Sequence, residues 1–165
     1  MIVSSGDWTK TQALLAFAGN KVRLLKSSRS GKKRQRIDIV AVCSAKLPRP
    51  EFMFEAKLLR KNGFPVSLYV GDEGMLCFIR NEYAASYPAA AMIGYLQSDD
   101  ANRWFNELER VFSNDVAGDL RIKLPLRKVK VLAPLEEEWI SEHGRVNNSD
   151  IQLFHILLDC TQTVI

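Results

Sequence analysis

The chain has little of what staples a small secreted protein or builds a zinc site. Its 165 residues include three cysteines, Cys43, Cys77 and Cys160. Their count is odd, their spacing is wide and no CxxC pair occurs, which argues against a disulfide framework and a structural zinc site. Each lies in an apolar run, so we expect buried free thiols and a reducing, cytoplasmic setting. Histidine is scarce too, with only His143 and His155. His143 stands beside Gly144 in a polar stretch and reads as loop. His155 alternates with apolar residues and reads as a packed core residue, so a histidine general base has little support. There is no G-x-x-x-x-G-K-[ST] loop, so NTP hydrolysis is not indicated. No apolar run is long enough to span a bilayer, and no membrane is expected as a partner. The first apolar stretch, Ala13 to Ala18, is too short and poorly flanked for a signal peptide. No repeat or low-complexity linker divides the chain. At 47% hydrophobic and 25% charged residues, it fits one soluble domain over 1–165 with its own core.

What the chain does have is unevenly placed charge. Net charge is only +4, but Lys26, Arg29, Lys32, Lys33, Arg34 and Arg36 fall within one short polar stretch. A loop this dense in cations suits phosphate contact as well as it suits a solvated hairpin. Lys46, Arg49, Arg60 and Lys61 flank the next two apolar runs. Glu136, Glu137 and Glu138 form an opposing acidic run.

Periodicity gives a coarse map. Asp7 can cap a helix over Trp8–Ala18, stopped by Gly19-Asn20. Lys21–Ser27 reads as a strand and Ser27–Gln35 as an exposed loop. Arg36–Ser44 ("RIDIVAVCS") is a second strand, rich in Ile and Val. "KLPRP" is a break, Glu51–Leu59 a third strand and "RKNG" a turn. From Pro65 to Tyr83 the period becomes helical. Ala89–Gln97 reads as a buried strand. Asp99–Ser113 is the clearest helix, capped by Asp99 or Asp100, with Trp104, Phe105, Leu108, Val111 and Phe112 on one face. Leu120–Leu132 is extended and cationic, and Ile151–Cys160 is a final strand. The order predicts a mixed α/β domain. A helix close to the first residue and a strand close to the last are also what a piece of a larger system would show.

Three residues carry chemistry together. Glu55 and Lys57 are two apart on the third strand, so both leave one face, opposite Phe52, Phe54 and Ala56. Alone they suit a surface ion pair. Asp38 lies in the preceding apolar strand, where a carboxylate is costly unless paired or bound to a cation. Two converging carboxylates repel, and a divalent ion relieves that repulsion. Mg²⁺ is held in this way, by one or two carboxylates with waters and phosphate oxygens. A lysine nearby can orient water and stabilise charge on a phosphoryl group.

The spacing D-x(16)-E-A-K, on consecutive strands after an N-terminal helix, resembles the PD-(D/E)xK nuclease superfamily. The stretch Tyr69 to Leu96 is similar to the helix and strand that follow the catalytic strand in restriction-like proteins. The resemblance covers Lys21 to Phe112. It implies a restriction endonuclease-like α-β-β-β-α-β core, here followed by extra C-terminal strands. It implies that Asp38 and Glu55 hold Mg²⁺ or Mn²⁺ with the backbone carbonyl of Ala56, and that Lys57 is the catalytic lysine. The partner would be DNA, held by Lys26, Arg29, Lys32, Lys33, Arg34, Arg36, Arg60 and Lys61. Cutting both strands needs two sites, which points to a homodimer. The chain departs from the family pattern in two places. Ile37 precedes Asp38 where proline is common, and the first helix has no glutamate between Trp8 and Ala18. A non-catalytic nucleic-acid-binding module on the same fold is therefore the rival expectation.

Overall fold

The structure, a computed structural model, describes residues 22–23, 39–42, 51–131 and 135–161. The expected first helix, the basic loop 26–36, Asp38 and Cys43 lie outside these residues. Within them the chain forms β1 (Val22–Arg23), β2 (Ile39–Val42), β3 (Glu51–Leu59), α1 (Val66–Val70), α2 (Met75–Ile79), β4 (Ala89–Leu96), α3 (Ala101–Ser113), β5 (Ile122–Lys128), β6 (Glu138–Gly144) and β7 (Asp150–Asp159). The strands make one mixed sheet in the order β1-β2-β3-β4-β7-β6-β5. β2 runs antiparallel to β3, β3 parallel to β4 and β4 parallel to β7, while β6 and β5 add antiparallel pairs beyond. Parallel neighbours need a long crossover. α1 and α2 supply it between β3 and β4, and α3 lies on the return that leads through β5 and β6 to β7.

All three described helices pack on one face of the sheet. Tyr69 and Val70 of α1, Met75, Phe78 and Ile79 of α2, and Trp104, Leu108 and Phe112 of α3 share a core with Leu59, Met92, Leu96, Leu153 and Leu157 of the strands. The Trp104, Leu108 and Phe112 stripe was legible from helical spacing, and burying each side chain stabilises by about 1.5–3 kcal/mol. Asp100 caps α3, its carboxylate accepting from Arg103 N at 2.8 Å. The other sheet face carries a smaller cluster of Phe52, Ala91, Ile140 and Phe154. Strand alternation therefore sends Phe52 and Phe54 to one face and Met53 and Leu59 to the other, as the period of two requires.

Three expectations need correction. The helical stretch 65–83 is two short helices with a corner over residues 71–74. Gly74 is the reason, because a Cβ there would sit 2.0 Å from the Tyr69 carbonyl oxygen and 2.8 Å from that of Leu68. Only glycine lets the chain turn back so closely on α1. His143 is not in a polar loop; it is fully buried in β6, a strand whose polar spelling hid it. Cys77 is a buried free thiol as expected, but Cys160 lies just past β7 and is exposed.

Candidate active site

β3 carries the predicted pair. Lys57 Nζ lies 2.7 Å from Glu55 Oε1, and the Glu55 side chain is 4% exposed against 20% for Lys57. The carboxylate is thus inside the protein and its ammonium partner reaches toward solvent. This is not the solvent-facing pair that spacing alone suggested. Four elements fix it there. The parallel register sets Glu55 beside Met92 and Lys57 beside Gly94 of β4. Gly94 is hemmed in by Leu59 and Leu157, whose methyl groups would lie 2.8 and 2.7 Å from an added Cβ. α1 and α2 cover the same face. Cys77 of α2 feels the Glu55 and Glu82 carboxylates. Burial first, then these charges, push its thiol up to about 12. Cys77 is therefore a protonated donor to the Asp72 carbonyl at 2.8 Å, not a nucleophile.

The antiparallel pairing of β2 with β3 covers Glu51 to Phe54, with Ile39 opposite Phe54. Asp38 lies outside the described residues, but in the chain it comes directly before Ile39, just as Glu55 follows Phe54. The six cations from Lys26 to Arg36 also lie outside. Arg60 and Lys61 are described, and both are exposed at the turn that ends β3. That turn is closed by two backbone hydrogen bonds of 3.0 Å between Arg60 and Phe64, with Asn62 at φ 60°. It is tied to the end of β4 through Lys61 N donating to Ser98 Oγ at 2.8 Å. A groove beside β3 is lined by Lys57, Phe64, Ser67, Asp72 and Glu73. Two further glutamates can be placed. Glu51 accepts from the Tyr87 hydroxyl at 3.0 Å, four residues before Glu55, about 13 Å away along the strand. Glu73 lies on the groove that Lys57 enters. Among the described residues, no three His, Cys, Asp or Glu side chains gather as a metal cluster.

Sequence reasoning missed a second polar assembly on the same sheet face. Tyr69 Oη lies 3.1 Å from His155 Nδ1, His155 Nε2 lies 2.8 Å from Ser141 Oγ, Ser141 Oγ lies 2.7 Å from His143 Nε2, and His143 Nδ1 lies 2.6 Å from the Leu120 carbonyl. Proton bookkeeping gives the chain one direction. The carbonyl can only accept, so His143 carries its proton on Nδ1. Its bare Nε2 then takes the Ser141 proton, Ser141 accepts from His155 Nε2–H, and His155 Nδ1 accepts from Tyr69. Both rings and the Ser141 hydroxyl are thereby satisfied, and Tyr69 Oη also lies 3.4 Å from the Met92 carbonyl. Burial, and then the neighbouring His143, hold His155 down to about 3. Burial lowers His143 as well, against the opposing pull of the Leu120 carbonyl, Asp115 and Glu142. Burial raises the Tyr69 hydroxyl. All three side chains are neutral near pH 7. Tyr69, His143 and His155 are fully buried and Ser141 is 2% exposed, so no substrate reaches them and the assembly is structural. Arg145, equally buried, donates to the carbonyls of Phe78, Ala84 and Ala85 and ties the β6–β7 turn to the end of α2.

The fold and the site define a single-sheet α/β protein with a buried carboxylate–lysine pair on a strand inside the sheet. No family model, curated protein or solved structure gives a significant match to the chain. Among the described residues, no helix is long and apolar enough to cross a membrane.

Proposed function

We propose that the chain is a DNA endonuclease dependent on Mg²⁺ or Mn²⁺, with the restriction endonuclease-like core that its sequence resembles. The observation that carries this reading is Glu55, a carboxylate 3% exposed, held at 2.7 Å by Lys57 on β3. Taking a charge out of water costs several kcal/mol even when it is paired. A pair serving only solubility has no reason to be there. Two features of the fold support the reading: an antiparallel β2–β3 pair, and a parallel β4 reached through helices.

In this reading Asp38, Glu55 and the Ala56 carbonyl hold the ion. Two carboxylates and a carbonyl are the hard oxygen donors that Mg²⁺ takes, so the donor set fits. The bound ion supplies Lewis-acid stabilisation of phosphoryl charge and a more acidic water. Lys57 donates hydrogen bonds to the attacking water or to the equatorial oxygens as charge builds there. Arg60 and Lys61, with Lys26, Arg29, Lys32, Lys33, Arg34 and Arg36, hold the DNA backbone. A homodimer would present two such sites, one per strand. Restriction, phage defence or mobile-element DNA processing inside the cell would use this activity.

One observation favours the rival, a non-catalytic nucleic-acid-binding module. Glu55 and Lys57 already compensate each other's charge at 2.7 Å. Incubation of plasmid and single-stranded DNA with Mg²⁺ or Mn²⁺ separates the two. Cleavage by wild type and none by Lys57→Ala supports the enzyme; binding without cleavage supports the module.

A further inference from the structure

The segment from Leu120 to Leu135 contains five cations, Arg121, Lys123, Arg127, Lys128 and Lys130, and no Asp or Glu. Its residues 122–128 form β5, the strand at the far edge of the sheet from β1. All five cations are exposed. Two are matched by carboxylates: Lys123 pairs with Asp150 at 2.5 Å and Lys128 with Glu137 at 3.4 Å. Lys130 donates to the Leu135 carbonyl, which leaves its charge uncompensated. Among the described residues, Arg121, Arg127 and Lys130 form no ion pair. Glu142 shares a small hollow with Arg127 but accepts from Gln152 at 3.2 Å. Unmatched positive charge is thus displayed just before β5 (Arg121), on it (Arg127) and just past its end (Lys130). Leu124 beside it is 47% exposed, which leaves the strand open to solvent.

We propose that this edge is a second nucleic-acid contact surface, which binds the phosphate backbone of duplex DNA through Arg121, Arg127 and Lys130. The geometry suits that partner. Arg121, Arg127 and Lys130 are six and three residues apart, roughly 20 and 10 Å along an extended chain, so they reach separate phosphates of one duplex rather than a single anion. β5 stands four strand spacings from β3, about 19 Å, so this edge is a separate surface from the β3 strand. Lysines on an edge strand also deter edge-to-edge aggregation, which is the competing explanation. The proposal rests on the DNA-directed reading above for its choice of polyanion.

The test is binding of a 30-base-pair duplex by fluorescence anisotropy, in EDTA so that cleavage plays no part, over a series of salt concentrations. Arg127→Gln/Lys130→Gln is compared with Arg103→Gln/Arg110→Gln on α3, which removes the same net charge elsewhere. Losing two phosphate contacts flattens the log–log salt slope by about 1.8 and weakens binding on the order of tenfold to sixtyfold at 0.1 M salt. We expect that change for the β5 variant and less than twofold for the control. Equal loss in both variants overturns the proposal, as does unchanged binding with increased aggregation of the β5 variant. Lysine acylation of the wild type provides a readout independent of any variant. Duplex should protect Lys130, and full labelling of Lys130 at saturating duplex would also overturn the proposal. The two readings fail separately: a wild type that needs this edge for binding in EDTA but never cuts with Mg²⁺ overturns the nuclease reading alone, and a wild type that cuts while the β5 variant binds normally overturns this proposal alone.

Discussion

Lowering the pH from 7 to 5 should cost this protein a large share of its stability, through two side chains that never meet solvent. His155 and His143 enter the fold neutral, because each ring is enclosed in the Tyr69–His155–Ser141–His143–Leu120 chain. Their folded pKa values lie below the unfolded value of about 6.5. Below pH 6.5 the unfolded chain takes up protons that the native state refuses. Stability is therefore complete above that pH and declines as the pH falls, for His155 down to about 3. The slope is about 1.36 kcal/mol per pH unit per group, so at pH 5 His155 alone accounts for about 2 kcal/mol. His143 acts in the same direction, with Leu120, Asp115 and Glu142 opposing. The His155 loss alone is large against a usual stability of about 5–15 kcal/mol. Urea titrations at pH 7, 6 and 5, followed by fluorescence of the buried Trp104 and Trp139, measure the loss. His155→Gln, which can still donate to Ser141 and accept from Tyr69, should flatten the pH slope. A stability constant within 0.5 kcal/mol across that range, on the scale of an unperturbed surface group, would refute the neutral-chain reasoning. So would a slope unchanged by the substitution.

Two stability predictions follow from the same face of the sheet. Ser141→Ala deprives His143 Nε2 of its donor and His155 Nε2–H of its acceptor. Two orphaned buried groups cost about 2–6 kcal/mol, read as a lower urea midpoint at unchanged m. Gly74→Ala drives a methyl into the Tyr69 and Leu68 carbonyl oxygens, which are backbone and cannot swing away. The cost should be on the order of 3 kcal/mol, with proteolysis appearing first at the α1–α2 corner.

The sequence reveals the strands well where apolar residues dominate and poorly where polar side chains are satisfied from afar. β3 runs from Glu51 to Leu59 as read, and the period of two set Glu55 and Lys57 on one face without any structural help. α3 was legible from its cap and stripe. β6 was not, because "EWISEHG" spells a polar segment whose partners are distant in sequence. Ser141 and His143 are satisfied by His155 and Leu120, and Glu138 accepts from Val131 N at 2.8 Å. The corner at Gly74 escaped for a related reason. A helical period says nothing about a corner where the Tyr69 carbonyl leaves no room for a side chain at position 74. In the site, the pairing of Glu55 with Lys57 was readable but its burial was not. Spacing gives the face of a strand, and only the packing of α1 and α2 decides whether that face is wet.

The most direct test of the central claim is cleavage of supercoiled plasmid by purified protein with excess Mg²⁺ or Mn²⁺. Wild type, Glu55→Gln, Lys57→Ala and an EDTA control are run side by side, each checked for folding by its urea transition. The account predicts nicked and linear products from wild type alone. Removal of either side chain, or of the ion, should slow cleavage by about a hundredfold or more. Cleavage at the wild-type rate by folded Glu55→Gln or Lys57→Ala would contradict it, as would a wild type that binds DNA and never cuts.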